Sequence, residues 1–212
     1  MNIVVEIQKY AQQPLTTELL LEMLKGYRRP YDKITDLMQK GYLVQIRRGL
    51  YLPSELLSIQ RPEPFLIANH VYGPSYVSLD AALFYWGMIP ERVYEITSVT
   101  NRLAKTFSTK VGVFSYVHIP TSFFSFGMQQ LVLTDRQTVL IASKEKAILD
   151  KIITSAGLQL RSKKQVLSYL VEDLRIEKDS LRNLNTREMI KWQTACPKKA
   201  SIKLLINTLV DL

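Results

Sequence analysis

One cysteine and two histidines stand in a chain of 212 residues. Cys196 has no second thiol to pair with inside the chain, so an internal disulfide is excluded, and with it a cysteine-ligated zinc site. His70 and His118 are too few for a spaced histidine-cysteine metal set, and their settings, a half-apolar helix and a β-run before Pro120, read as packing positions. No Gly-x-x-x-x-Gly-Lys phosphate loop and no serine nucleophile elbow occurs. A Gly-Ser followed by paired aspartates, as in a nucleotidyltransferase, is also missing. No apolar run approaches the roughly 18 to 20 residues that a membrane helix needs. The opening Met1-Asn-Ile-Val-Val-Glu-Ile7 lacks the basic segment that precedes the apolar run of an export signal. The expectation is a non-enzymatic cytoplasmic chain with no metal, no other cofactor and no membrane association.

Acidic residues are also scarce: 19 Asp and Glu against 28 Lys and Arg, a net charge of +9. Such an excess favours a polyanionic partner or an acidic protein surface. Its distribution is uneven. From Lys25 to Arg48 seven cations face Asp32 and Asp36, and from Arg161 to Lys203 eleven cations face five acids. Between residues 62 and 120 the two signs balance, with Arg92, Arg102, Lys105 and Lys110 against Glu63, Asp80, Glu91 and Glu95.

The first basic stretch has local order. Thr16 suits a helix N-cap, Glu18 puts negative charge in the first turn, and Leu19, Leu20, Met23 and Leu24 recur at helical spacing before the stop at Lys25-Gly26. Pro30 suits the first position of a second helix and Gly41 the residue past its end. In that helix Tyr31, Ile34, Leu37 and Met38 form an apolar stripe expected to face the other helices, opposite Arg29, Lys33, Asp36 and Lys40. Leu43 to Ile46 and Leu50 to Leu52 read as strands around Arg47-Arg48-Gly49, where glycine supplies the positive φ of a hairpin. Helix, turn, helix and basic hairpin in this order predict a winged helix-turn-helix, a module that lays one helix in the DNA major groove and a hairpin against phosphates.

Arg61-Pro-Glu-Pro64 interrupts the pattern, since prolines bar helix continuation. This divides the chain into a DNA-binding domain over 1–57 and a second domain over 62–212. In the latter, helices are expected over Phe65 to Val71 and from Ser78 to Trp86, then strands over Tyr94 to Thr100, Lys105 to Thr109, Gly112 to Ile119, Met128 to Thr134 and Gln137 to Ile141. Ser143 caps a helix to Ile153, with Ala147, Ile148 and Ile152 on one side, and helices follow over Lys163 to Leu174, Ser180 to Leu184, Thr186 to Thr194 and Lys199 to Leu209. The fold class is therefore α+β: a winged helix-turn-helix, then a mixed domain with a small, mostly antiparallel sheet of about four or five strands and C-terminal helices. The dense aromatics of the middle region are read as core, because their charge-balanced surroundings lack the cationic walls of a base-stacking groove.

Five stretches line up with one family: Arg29 to Tyr51, Tyr76-Val-Ser-Leu-Asp-Ala-Ala-Leu83, Gly87 to Thr100, Thr106-Phe-Ser-Thr109 and Ala142-Ser-Lys-Glu-Lys-Ala-Ile-Leu-Asp150. In this order they resemble the abortive-infection E antitoxins (AbiEi-like) of type IV toxin-antitoxin systems, over about residues 16 to 150. The resemblance implies an N-terminal module that represses its operon by binding inverted repeats in promoter DNA. It also implies a C-terminal domain that counters a nucleotidyltransferase-like toxin without a stable complex. The DNA contacts carry over onto Arg28, Arg29, Tyr31, Lys33, Lys40, Arg47 and Arg48. The antitoxin role has no motif to carry over; the basic tail around Lys163, Lys164, Arg175, Lys178 and Arg182 is the candidate surface against a protein partner. Two alternatives stand beside this: a stand-alone winged-helix regulator, and a metal-dependent nuclease using Asp80, Asp135 and Asp150, although each aspartate has a simpler helix or turn role.

Overall fold

The computed structural model describes residues 2–58, 60–91 and 93–212. Side-chain caps start two of the helices that the sequence marks. Thr16 Oγ1 accepts from the Leu19 amide at 3.3 Å, and Ser143 Oγ from the Lys146 amide at 3.2 Å. The N-terminal elements run α1 (Ile3–Lys9), β1 (Leu15–Thr16), α2 (Thr17–Met23), α3 (Pro30–Gln39), β2 (Leu43–Arg47) and β3 (Leu50–Pro53). Helix α1 and strand β1 lie outside the expected elements. β1 is two residues long and pairs antiparallel with β3, giving a three-stranded sheet in the order β1-β3-β2.

The period-two alternation of the hairpin is divided between two cores. Leu43 and Tyr51 pack with Ile3, Ile7, Leu20 and the buried face of α3, Ile34 and Leu37. Ile46, Leu50 and Leu52 belong instead to the large core of the rest of the chain, beside Ile67, Ala68 and Val71. The hairpin is thus apolar on both faces. The connection after it is pinned too: the buried Gln137 accepts from the Glu63 amide at 2.6 Å and donates to the Arg61 carbonyl at 3.1 Å.

The remainder begins with α4 (Pro64–Val71), β4 (Ser75–Val77), α5 (Leu79–Tyr85), β5 (Glu95–Thr100), β6 (Lys105–Thr109) and β7 (Gly112–His118). It continues with α6 (Thr121–Phe124), β8 (Met128–Thr134), β9 (Gln137–Ala142) and α7 (Lys144–Thr154). The sheet has six strands in the order β6-β7-β5-β4-β9-β8, with three antiparallel and two parallel pairings. It is therefore a mixed sheet, larger than the four or five strands expected. The missed strand, β4, is three residues long and buried throughout, so it shows no alternation to read. It joins β5 to β9 at the centre.

C-terminal helices close one side: α8 (Lys163–Leu167) running into a π-helical turn over Ser168–Asp173, α9 (Lys178–Arg182), α10 (Thr186–Trp192) and α11 (Lys199–Val210). Leu170, Leu181, Met189, Ile202 and Leu205 carry their packing into the large core. Helix α7, expected to bury one side, is buried over the whole run from Lys146 to Asp150. No helix among the described residues is long and apolar enough to cross a membrane.

Candidate nucleic-acid interface

Helix α3 is amphipathic, but its stripe is narrower than expected. Ile34 and Leu37 are buried, Met38 is half-buried, and Tyr31 is 64% exposed. Tyr31 lies in the first turn of the helix, beyond the reach of the small core, so it belongs to the outer surface with Arg28 and Arg29 rather than to the packed face. Arg28 has no partner among the described residues, and Arg29 makes only a 3.7 Å ion pair with the exposed Asp32. The helix N-terminus thus presents two guanidinium groups and a phenol to solvent. The other two α3 candidates are held: Asp36 receives Lys33 at 2.6 Å and Lys40 at 2.9 Å. Hydrogen bonding to Lys33 and Lys40 lowers the Asp36 pKa, and the same contact with Asp36 raises that of Lys33.

At the hairpin tip Gly49 adopts φ +81°, the left-handed conformation that the turn requires. Arg48 is exposed without a partner among the described residues. Arg47, also exposed, folds back: one guanidinium nitrogen donates to the Arg48 carbonyl at 2.9 Å and the other to the His70 carbonyl at 3.5 Å. The hairpin tip therefore touches the C-terminal end of α4. Burial pushes the Tyr116 phenol well above its ordinary pKa, and the Arg47 charge pulls it partly back.

The five tail cations do not form one free surface. Lys163 pairs with Asp211, and Arg182 with Asp179 at 2.8 Å and the Leu212 carbonyl at 3.2 Å, so these two gather at the end of α11. Arg175 turns away to Glu91 at 2.9 Å, while Lys164 and Lys178 are exposed without partners among the described residues. The three aspartates of the nuclease alternative do not converge either. Asp80 binds Lys151 at 2.6 Å, Asp135 sits in the exposed β8–β9 turn, and Asp150 is fully buried. Among the described residues no group of three His, Cys, Asp or Glu is placed to hold a metal ion. Both histidines are exposed rather than packed, each bonded through Nδ1 to a backbone carbonyl at 2.9 Å, His70 to Leu66 and His118 to Arg102.

The polar cluster that sequence reading missed lies inside the large core. Lys146 and Asp150 are both 0% exposed. Lys146 Nζ donates to the Phe123 carbonyl at 3.0 Å, lies 3.3 Å from the Phe123 ring centroid and approaches Asp150 Oδ1 to 2.8 Å, a contact without hydrogen-bond alignment. Asp150 Oδ2 accepts from Ser78 Oγ at 2.7 Å and Tyr76 OH at 3.0 Å. Ser78 stands at the N-cap position of α5, but its hydroxyl serves Asp150 instead of the helix. Burial lowers the Lys146 pKa and raises that of Asp150, each partner opposing the shift of the other. The cluster ties α7 to β4, α5 and α6. Its sequence signal was a Lys-x-x-x-Asp pair bracketing the apolar run Ala147-Ile-Leu149 of α7. Burial also pushes the nearby Cys196 thiol up to about 12, far from the thiolate that reactivity needs. No protein-family model matches the chain, and no curated protein matches its sequence at a significant level.

Proposed function

We propose that residues 1–57 form a winged helix-turn-helix that binds duplex DNA, with α3 as the recognition helix and β2–β3 as the wing. The observation that carries this reading is the exposed set Arg28, Arg29 and Tyr31 at the N-terminus of α3, together with an exposed Arg48 at the tip of the hairpin that follows that helix in the chain. Recognition helices meet base edges with their N-terminal residues, and guanidinium groups bind guanine edges and phosphates bidentately. Arg47 is the wing's inner contact, since its guanidinium already holds the His70 carbonyl.

The fuller reading is an autorepressing antitoxin of a type IV toxin-antitoxin system, which binds inverted repeats in its own promoter and counters a nucleotidyltransferase-like toxin without a stable complex. Its support is the ordered resemblance over about residues 16 to 150. Two of those stretches meet in space, Tyr76 and Ser78 of one bonding to Asp150 of another, as parts of one domain do.

Fluorescence anisotropy with duplex DNA from upstream of the gene tests the DNA-binding part. Wild-type affinity is expected to fall with salt with a log–log slope of about 0.9 per phosphate neutralised, and Arg28→Ala with Arg29→Ala to weaken it at least tenfold. Salt-independent or absent binding overturns the reading. Growth rescue tests the rest: the neighbouring gene is expected to encode a nucleotidyltransferase-like toxin, and the chain to restore growth to cells expressing it without co-purifying with its product. Failure to rescue, with DNA binding intact, leaves a stand-alone regulator.

A further inference from the structure

Folding separates the balanced charges of residues 62 to 120. Asp80 is taken by Lys151 and Glu91 by Arg175, Glu63 lies on the linker beside Gln137, and Glu95 pairs in register with Val113 at the end of β5 away from Arg102. From Ile96 to Thr134 the chain has no acidic residue. Arg102 and Lys105 stand in that stretch, both exposed and without a carboxylate partner among the described residues.

A run of contacts links them to the hairpin tip. Arg47 reaches the His70 carbonyl; two residues on, Tyr72 OH donates to the Leu103 carbonyl at 3.2 Å, which holds the loop carrying Arg102. His118 fixes the same loop through the Arg102 carbonyl. Lys105 pairs in register with Tyr116, and its Nζ lies 4.9 Å from the centroid of Phe107, whose ring packs against both Tyr72 and Tyr116. Lys105 is thus on the sheet face toward α4, the helix that the hairpin tip touches.

We propose that Arg102 and Lys105 extend the DNA-contacting surface from Arg48 onto the sheet domain, where they take phosphates flanking the segment read by α3. The inference rests on the DNA-binding reading of the N-terminal segment. A linear polyanion is the partner that fits, because these cations have no carboxylate partner among the described residues, lie well apart in sequence from the first basic stretch, and stand in a stretch of chain without an acidic residue that would repel phosphate.

The test titrates the full chain onto labelled duplexes of about one helical turn (~10 bp) and about three (~30 bp) over roughly 50 to 200 mM salt. On the longer duplex, Arg102→Ala with Lys105→Ala is expected to reduce the log–log salt slope by about 1.8, so that the wild-type advantage narrows about tenfold across that range. On the shorter duplex the two proteins are expected to agree. Arg102→Glu with Lys105→Glu is expected to deepen the loss on the longer duplex at the lowest salt, with an unchanged melting temperature as the check on folding. Equal slopes on the longer duplex overturn the extension alone, and an equal loss on both duplexes overturns the flanking assignment. If the wild type binds neither duplex, the DNA-binding reading falls and the extension with it.

Discussion

Helices α3 and α7 each carry a lysine and an aspartate four residues apart, Asp36 with Lys40 and Lys146 with Asp150, and in both the charges meet. On α3 the pair stands in water, shared with Lys33, and on α7 it is wholly enclosed. Spacing is therefore the same and energetics are not. In solvent the attraction is screened and contributes little. In the core, both charges have lost water and depend on each other and on Phe123, Ser78 and Tyr76. The directions of the pKa shifts record this: partner bonds dominate at Asp36 and lower it, whereas desolvation dominates at Asp150 and raises it.

Breaking the enclosed pair gives the largest expected effect. Asp150→Asn leaves Lys146 buried without a counter-charge and is expected to destabilise the fold by about 3–5 kcal/mol in urea denaturation. Adding Lys146→Met is expected to recover much of that loss, because no uncompensated charge then remains; a double variant no better than the single one would show that the pair matters for shape rather than charge.

Next is Gly127→Ala. Gly127 has φ +63°, and a Cβ there would meet Lys146 Cβ and the Trp192 ring at 2.7 Å, so the change presses directly on the enclosed pair. A loss of about 1–3 kcal/mol is expected, read from the same denaturation curves.

Acid titration separates the pairs by sign. Asp36 has a folded pKa below its unfolded value, so its contribution is present above the ordinary carboxylate range and is lost as pH falls through the folded value. Asp150 has a folded pKa above its unfolded value, so its contribution to stability declines as pH rises from about 4 through the folded value. Urea midpoints across acid pH are expected to lose the first slope in Asp36→Asn and the second in Asp150→Asn.

The smallest effect on stability is that of Asp36→Asn itself, which is expected to act on binding instead. It releases Lys33 and Lys40, and the salt slope for duplex DNA is expected to steepen by up to about 1.8. An unchanged slope would mean that those lysines point away from DNA.

Much of the N-terminal segment was legible because boundary residues announce themselves: Pro30, Gly41 and Gly49 each mark a backbone conformation that few other residues adopt as readily. β4 was not legible, since three buried residues carry no period. Tyr31 was misplaced because helical spacing alone does not say how far the small core extends along α3. The tail's excess charge could be counted but not placed. Arg175 with Glu91 and Lys163 with Asp211 are partners far apart in sequence, and only folding brings them together. The same applies to Asp150, whose polar neighbours Tyr76 and Ser78 lie more than seventy residues away.

The two-faced hairpin has a mechanical consequence. Ile46, Leu50 and Leu52 on one side and Leu43 and Tyr51 on the other make β2–β3 a party wall between the helices of the N-terminal segment and the sheet behind it. Neither half can detach without stripping apolar cover from the other. Heat or denaturant is thus expected to melt the two as one cooperative event. For the same reason, a load applied to the sheet domain reaches α3 through a continuous solid, so a displacement on one side of the wall is carried to the other.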